Sequence, residues 1–307
     1  MGTVHCMIPF NMEIYLADLT YDQQSLASDV VPAAIGGLAE IIEANTQYKC
    51  KLFKQPQDLL NEVSIVKPFL LGFSNYVWNA SLALTIAKLV KNKYPDLIIV
   101  TGGPNISTED RELQKYFNDN PAIDFAILKE GESGILNLLK LLGNNSIDQI
   151  KSNKIAINGV AYLDQNEVLI KGQLERFLNL EEIPSPYLSG KLDKWLDGQW
   201  LPVIQTNRGC PFTCTFCTEG QTYWSKVRKK PIRVLESELN YIAAKLVKNL
   251  KHRSDLLIAD SNFGMYEQDL EVAKILAKIQ SAYNYPTYIN VATGKNKKEK
   301  VLEVANI

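Results

Sequence analysis

Three of the chain's five cysteines fall within eight residues, in the run Cys210-Pro211-Phe212-Thr213-Cys214-Thr215-Phe216-Cys217. The spacing is C-x3-C-x2-C, and the run follows an apolar segment that reads as a strand. Thiolates are soft ligands, and cysteine is the usual protein ligand of iron–sulfur clusters. A four-iron cluster normally takes four thiolates. A group of three leaves one iron able to bind a small molecule. Zinc and buried free thiols are the other readings. Zinc needs a fourth ligand, and His5, His252, Cys6 and Cys50 are all remote in sequence. The spacing therefore points to a metal loop with Cys210, Cys214 and Cys217 as ligands to a cluster.

The same run, with Phe216 as the aromatic before the third cysteine, resembles the signature of the radical S-adenosylmethionine (SAM) enzymes. The resemblance covers residues 201–264 most specifically. It implies a [4Fe-4S] cluster whose open iron binds the amino and carboxylate groups of SAM. It also implies reductive cleavage to a 5′-deoxyadenosyl radical, with Phe216 near the adenine.

Charge is nearly balanced across 307 residues, with 33 basic and 34 acidic side chains. That gives no general reason to expect nucleic acid or a membrane surface as partner. The basic runs at residues 226–233 and 295–300 read as solvated faces. No apolar run approaches the length of a membrane helix, and no secretion signal is visible. Position 6 is Cys, so the myristoylation pattern fails. An odd number of cysteines does not make a disulfide framework, which points to a reducing cytoplasm.

The length suggests two domains. In the first, five apolar runs read as strands: residues 13–17, 48–53, 69–73, 97–100 and 125–128. Helical spacing is expected over residues 32–44, 79–92, 109–117 and 133–142. Alternation of this kind predicts a doubly wound parallel sheet, flavodoxin-like, with ligands outside the carboxyl ends of its strands. The loops at those ends are rich in Gly, Ser, Thr and Asn, which suit close backbone approach and hydrogen bonding.

This region, over residues 12–142, resembles the cobalamin-binding domain often found ahead of a radical SAM domain. Gly72-Phe73-Ser74-Asn75-Tyr76 takes the place of that fold's Ser-x-Leu loop, and Gly102-Gly103 matches its Gly-Gly loop. The resemblance implies cobalamin as a cofactor, held by Thr20, Ser74, Asn75, Gly102, Gly103 and Glu130. One departure stands out: the loop after the first strand has Asp18, Thr20 and Tyr21 but no histidine. The lower cobalt ligand is then not a protein imidazole. A flavodoxin-like domain with no cofactor is the alternative, since fold alone does not imply function.

The domain boundaries read as 1–145, 146–200 and 201–307. The middle segment is expected to be a hairpin at residues 158–172 followed by a stiff, proline-containing linker. The third reads as the beginning of a radical SAM (β/α) barrel. Its strands are expected at residues 201–206, 256–259 and 287–291, with helices at 236–249 and 269–282. Asp260-Ser261-Asn262 takes the place of the family's loop for the SAM amino group, which implies SAM contacts from Asp260 and Asn262; a helix cap is the other use of such residues. Only three β/α units are present, so the barrel reads as partial and its edge strand as uncovered, by truncation or by need of a partner chain.

The resemblance implies a cobalamin-dependent radical SAM enzyme that transfers a methyl group to an unactivated carbon or phosphorus of a small molecule. An electron donor such as flavodoxin or ferredoxin is implied with it. Radical cyclisation, rearrangement or oxidation is one alternative, and a cluster- or cobalamin-binding sensor without turnover is another.

Overall fold

A computed structural model describes residues 12–21, 28–249, 253–294 and 296–307. His5, Cys6 and His252 lie outside the described residues. The chain divides into two compact units, Met1–Ser28 with Ala34–Phe177, and Asp29–Ala33 with Leu178–Ile307.

The first unit alternates strands and helices: β1 (Glu13–Ala17), α1 (Ala33–Asn45), β2 (Lys49–Phe53), α2 (Pro56–Ile65), β3 (Leu70–Ser74), α3 (Ala80–Lys93), β4 (Ile98–Gly102), α4 (Asp110–Asp119), β5 (Phe125–Ile127) and α5 (Gly131–Leu142). The short α6 (Ile147–Ser152) and the strands β6 (Val160–Leu163) and β7 (Leu169–Lys171) follow. The sheet order is β2-β1-β3-β4-β5-β6-β7. The first five strands are parallel, in the flavodoxin order, and the last two are antiparallel. Every residue of β3 and β5 is buried, as strands covered on both faces must be. Each large aliphatic side chain so buried contributes on the order of 1.5–3 kcal/mol.

Two helices of the first unit, and the helix Lys298–Ala305 in the second, go beyond those expected from the sequence. Helix α2 carries Pro56 at its start and buries only Leu59 and Val63, so its apolar stripe is too thin to stand out. Its start signal was the proline, whose missing N–H costs nothing at a first helical position. Helix α6 is capped reciprocally by Ser146 and Gln149, a legible capping box on a helix too short to show periodicity. The hairpin expected within the connecting segment is instead part of the sheet. Strand β6 pairs antiparallel with β5 through Ala126↔Ala161 and Ile127↔Val160, so the first unit runs to Phe177 rather than ending at 145.

The second unit begins with residues that pack rather than extend as a linker. Tyr187 is buried and its hydroxyl donates to the Val203 carbonyl at 2.6 Å; Trp195, Leu196 and Trp200 are buried too. Strand β8 (Val203–Ile204) leads into β9 (Asn207–Arg208), which pairs antiparallel with β10 (Arg228–Lys229) across the cysteine loop. Then come α7 (Ile232–Leu246), β11 (Asp255–Phe263), α8 (Glu267–Tyr283), β12 (Tyr288–Thr293) and α9 (Lys298–Ala305). Strands β8, β11 and β12 form a parallel sheet in the order β12-β11-β8. Strand β12 is largely exposed, Tyr288 and Ile289 included. An apolar cavity of about 310 Å³ lies among α8, β12 and α9, lined by Leu276, Val291, Val301 and Val304 among others.

Candidate cofactor sites

In the first unit, strand order reverses between β1 and β3, the place where flavodoxin-like sheets receive ligands. Their carboxyl ends hold a buried polar network. The Lys54 ammonium, after β2, meets the Asp18 carboxylate at 2.9 Å, with the Lys54 side chain 1% and Asp18 14% exposed. Asp18 also accepts from the Ser74 hydroxyl at 2.6 Å and the Asn79 amide at 3.2 Å. Asn79 in turn accepts from the Tyr76 backbone N–H at 2.8 Å, which shapes the turn into α3. Burial, with the nearby Asp18 charge adding to it, pushes the Tyr76 phenol up to about 12.

Asn75 joins the next two strand ends. Its backbone N–H donates to the Gly102 carbonyl at 2.7 Å, and its side-chain oxygen accepts from the Asn105 amide at 2.8 Å. Gly103 has φ +129°, and a Cβ there would stand 2.7 Å from the Asn75 carbonyl oxygen. Only glycine suits both demands. The predicted residues Ser74, Asn75, Gly102 and Gly103 are thus brought together. Thr20 is fully buried and its hydroxyl accepts from the Ser28 N–H at 2.9 Å. Glu130 is buried at the N-cap position of α5 and makes no side-chain cap there. The network's centre, Asp18, Lys54 and Asn79, was missed as a site. The only signal was position, each lying within a few residues of a strand's carboxyl end.

In the second unit the cysteine loop leaves β9, a few residues past the carboxyl end of β8. Gly209, at φ +105°, passes so close to the Trp224 and Lys226 carbonyls that a Cβ would stand 2.7 Å from each. Cys210 is buried, its N–H donates to the Trp224 carbonyl at 2.9 Å, and its Sγ accepts from the Asn262 amide at 3.2 Å. Cys214 and Cys217 are exposed, and Phe216 between them is 86% exposed. Among the described residues, no three His, Cys, Asp or Glu side chains stand close enough to hold a metal ion. The donor chemistry, three thiols on one strand-end loop with one already accepting an N–H, fits a cluster. The observed arrangement is one anchored thiol and two exposed ones.

Strand β11 continues through the residues expected to form a loop. Its pairing with β12 shifts register between Ile258↔Val291 and Phe263↔Thr293. Asp260 is not open to a ligand amine as expected. Its Oδ1 accepts from the Thr206 N–H at 2.8 Å, and its Oδ2 from the Asn207 amide at 2.8 Å and from the Thr206 hydroxyl. Burial raises its carboxyl to about 6 against these donors. Asp269 takes the helix-start role, accepting from the Gly264 and Tyr266 N–H groups at 2.8 Å each.

No family model matches the chain. It is 31% identical over 264 residues to the cobalamin-dependent radical SAM methyltransferase TokK of Streptomyces tokunonensis, covering 82% of this chain and 37% of that protein. It is 30% identical over 266 residues to the 2-(S-pantetheinyl)-carbapenam-3-carboxylate methyltransferase of Streptantibioticus cattleyicolor, with the same coverage. The fold is that of the cobalamin-dependent SAM radical enzyme OxsB, solved with aqua-cobalamin and SAM bound. The TM-score is 0.64 at 20% identity, over 88% of this chain and 36% of that one. The chain thus spans little more than a third of the length of these three proteins. No described helix is long and apolar enough to cross a membrane. With its flavodoxin-order sheet, its cysteine loop and these relatives, the chain belongs to the cobalamin-binding radical SAM proteins.

Proposed function

We propose that the chain is the cofactor-binding portion of a cobalamin-dependent radical SAM methyltransferase acting on an unactivated carbon or phosphorus of a small molecule. The carrying observation is the placement of C-x3-C-x2-C in the loop after β9, just past β8, with Cys210 buried and hydrogen-bonded. Cys210, Cys214 and Cys217 hold the [4Fe-4S] cluster, and Phe216 offers a flat apolar face for adenine. Ser74, Asn75, Gly102 and Gly103 line the strand ends that receive cobalamin, with Thr20 and Glu130 behind them. Together the cofactors supply a carbon-centred radical and a transferable methyl group. The chain's residues bind, orient and exclude water. Gly209 allows the loop its tight passage, and Asp260 fastens the end of β8 beneath it. The reduction calls for a low-potential donor such as flavodoxin or ferredoxin, and the exposed thiols suit a reducing cytoplasm.

Anaerobic reconstitution is expected to give about four irons per chain. Cys210→Ala, Cys214→Ala and Cys217→Ala should each lose the cluster, and Cys50→Ala should keep it. Stoichiometric zinc without iron or sulfide would reject the reading. With SAM, cobalamin, reductant and substrate, the whole protein should form S-adenosylhomocysteine and 5′-deoxyadenosine in about equal amounts. Deoxyadenosine alone would reject methylation, and neither product from an intact, reducible cluster would reject turnover.

A further inference from the structure

Residues of one face of β11 alternate in a way that changes chemistry midway. Leu256 and Ile258 bury as apolar core, and the next two residues on that face, Asp260 and Asn262, are polar and also buried. The register explains what they reach. Leu257 pairs with Val203 and Ile258 with Ile204. Two residues further along, Asp260 meets Thr206 and Asn207. Beyond that, Asn262 meets Cys210, with its amide nitrogen 3.2 Å from the sulfur and each residue 8% exposed.

The contact is built. Cys210 is held from behind by Trp224, and the end of its strand is held by Asp260. Asn262 sits on a strand rather than a mobile tip. Once Cys210 binds iron, its sulfur carries no proton, so only an N–H of the Asn262 amide can face it favourably. Asparagine does not titrate, so the donor is present at every pH.

We propose that Asn262 is a positioning residue that raises the reduction potential of the cluster held on Cys210, through its amide hydrogen bond to that sulfur. This rests on the cluster reading above. Sulfur in the reduced cluster is the more electron-rich acceptor, so an N–H aimed at it stabilises the reduced form more than the oxidised one. Hydrogen bonds to cluster sulfurs and solvent exposure are among the levers that set such potentials. Cys214 and Cys217 are exposed, so the protein's one buried handle on the cluster among the described residues of this loop is Cys210.

The experiment is a mediator-buffered dithionite titration of the reconstituted chain, followed by electron paramagnetic resonance. Asn262→Leu keeps the branching at Cγ and removes the donor. It should retain about four irons and shift the one-electron reduction equilibrium by up to about tenfold, ~59 mV towards more negative potential. Asn262→Asp, which puts a carboxylate at the sulfur, should shift it at least as far. Full iron content with an unchanged midpoint in both variants would overturn the proposal. A second measurement needs no variant. Chain labelled with ¹⁵N only in asparagine should show a weak ¹⁵N coupling to the reduced cluster in pulsed spectra, and its absence would also overturn the proposal. If wild-type protein assembles no cluster, it is the cluster reading that fails, and iron and sulfide analysis of wild type shows this separately.

Discussion

The Lys54 ammonium and the Asp18 carboxylate meet at 2.9 Å where two neighbouring strands of the first sheet end, and the lysine side chain is almost wholly buried. Asp18 accepts from Ser74 and Asn79 at the same point. One ion pair therefore ties together the strand-end segments after β1, β2 and β3. Breaking a buried pair from one side leaves a charge without its partner, which costs about 3–5 kcal/mol. Lys54→Met should lower the stability of the first unit by about that amount in urea unfolding. Asp18→Asn combined with Lys54→Met should cost less than the two single losses added together. A loss under about 0.5 kcal/mol for Lys54→Met, the range of ordinary surface changes, would show that the pair does not organise these loops.

Gly103 tests the same end of the sheet through backbone shape. A methyl group there collides with the Asn75 carbonyl oxygen at 2.7 Å and meets an unfavourable φ of +129°. Gly103→Ala is expected to cost about 1–3 kcal/mol in strain. If the strand ends hold cobalamin as proposed, it should also weaken binding at least tenfold, read by spectrophotometric titration with hydroxocobalamin. Unchanged binding alongside the stability loss would remove this loop from the cofactor site.

How much of this was legible in the sequence depends on the kind of force involved. The five apolar runs of the first unit announced their strands, because a parallel strand buried on both faces needs no periodicity to be seen. Gly102-Gly103 and the cysteine spacing were legible because close approach and ligation restrict residue type. Lys54 was not, because nothing local distinguishes a lysine that buries against an aspartate 36 positions away from one in solvent. Asp260 is expected in a loop after a strand ending at residue 259, whereas β11 runs on to Phe263 and holds Asp260 within it. Its carboxylate accepts from Thr206, between β8 and β9, and from Asn207 in β9, more than fifty positions away. The extension of β11 past its break in register was likewise set by tertiary pairing, not by propensity.

Asp260 gives the second unit a pH signature. Burial raises its carboxyl to about 6 in the folded chain, above the unfolded value of roughly 3.9. The folded state then binds the proton more tightly. The contribution to stability is fully present below about pH 4 and is lost as pH rises through about 6. Asp260→Asn removes this titration. The stability of wild type relative to Asp260→Asn should therefore grow on going from pH 7 to pH 4, by on the order of 2–3 kcal/mol. A difference that stays constant across that range would place the carboxyl at an ordinary value.

The hairpin supplies the last test, because it decides where the first unit ends. Strand β6 covers the edge of β5, with the Leu128 N–H donating to the Gly159 carbonyl at 2.8 Å beside the strand pairs. Tyr162 is fully buried, packs edge-on against Phe125 with ring centroids 5.4 Å apart, and donates its hydroxyl to the Ile155 carbonyl at 2.9 Å. Helix α5 fits closely here too, since a Cβ on Gly134 would stand 2.7 Å from the Gly159 carbonyl oxygen. A segment ending at residue 145 strips all of this from β5 and leaves an apolar strand edge unpaired, which invites association. Residues 1–177 should therefore be monomeric and unfold cooperatively, whereas residues 1–145 should aggregate or unfold at much lower urea. Tyr162→Ala in the full chain isolates the packing part and should cost about 3–5 kcal/mol, the range for losing a large buried aromatic. Equal urea midpoints for the two segments would mean that the five parallel strands are sufficient alone and that the hairpin merely decorates their edge.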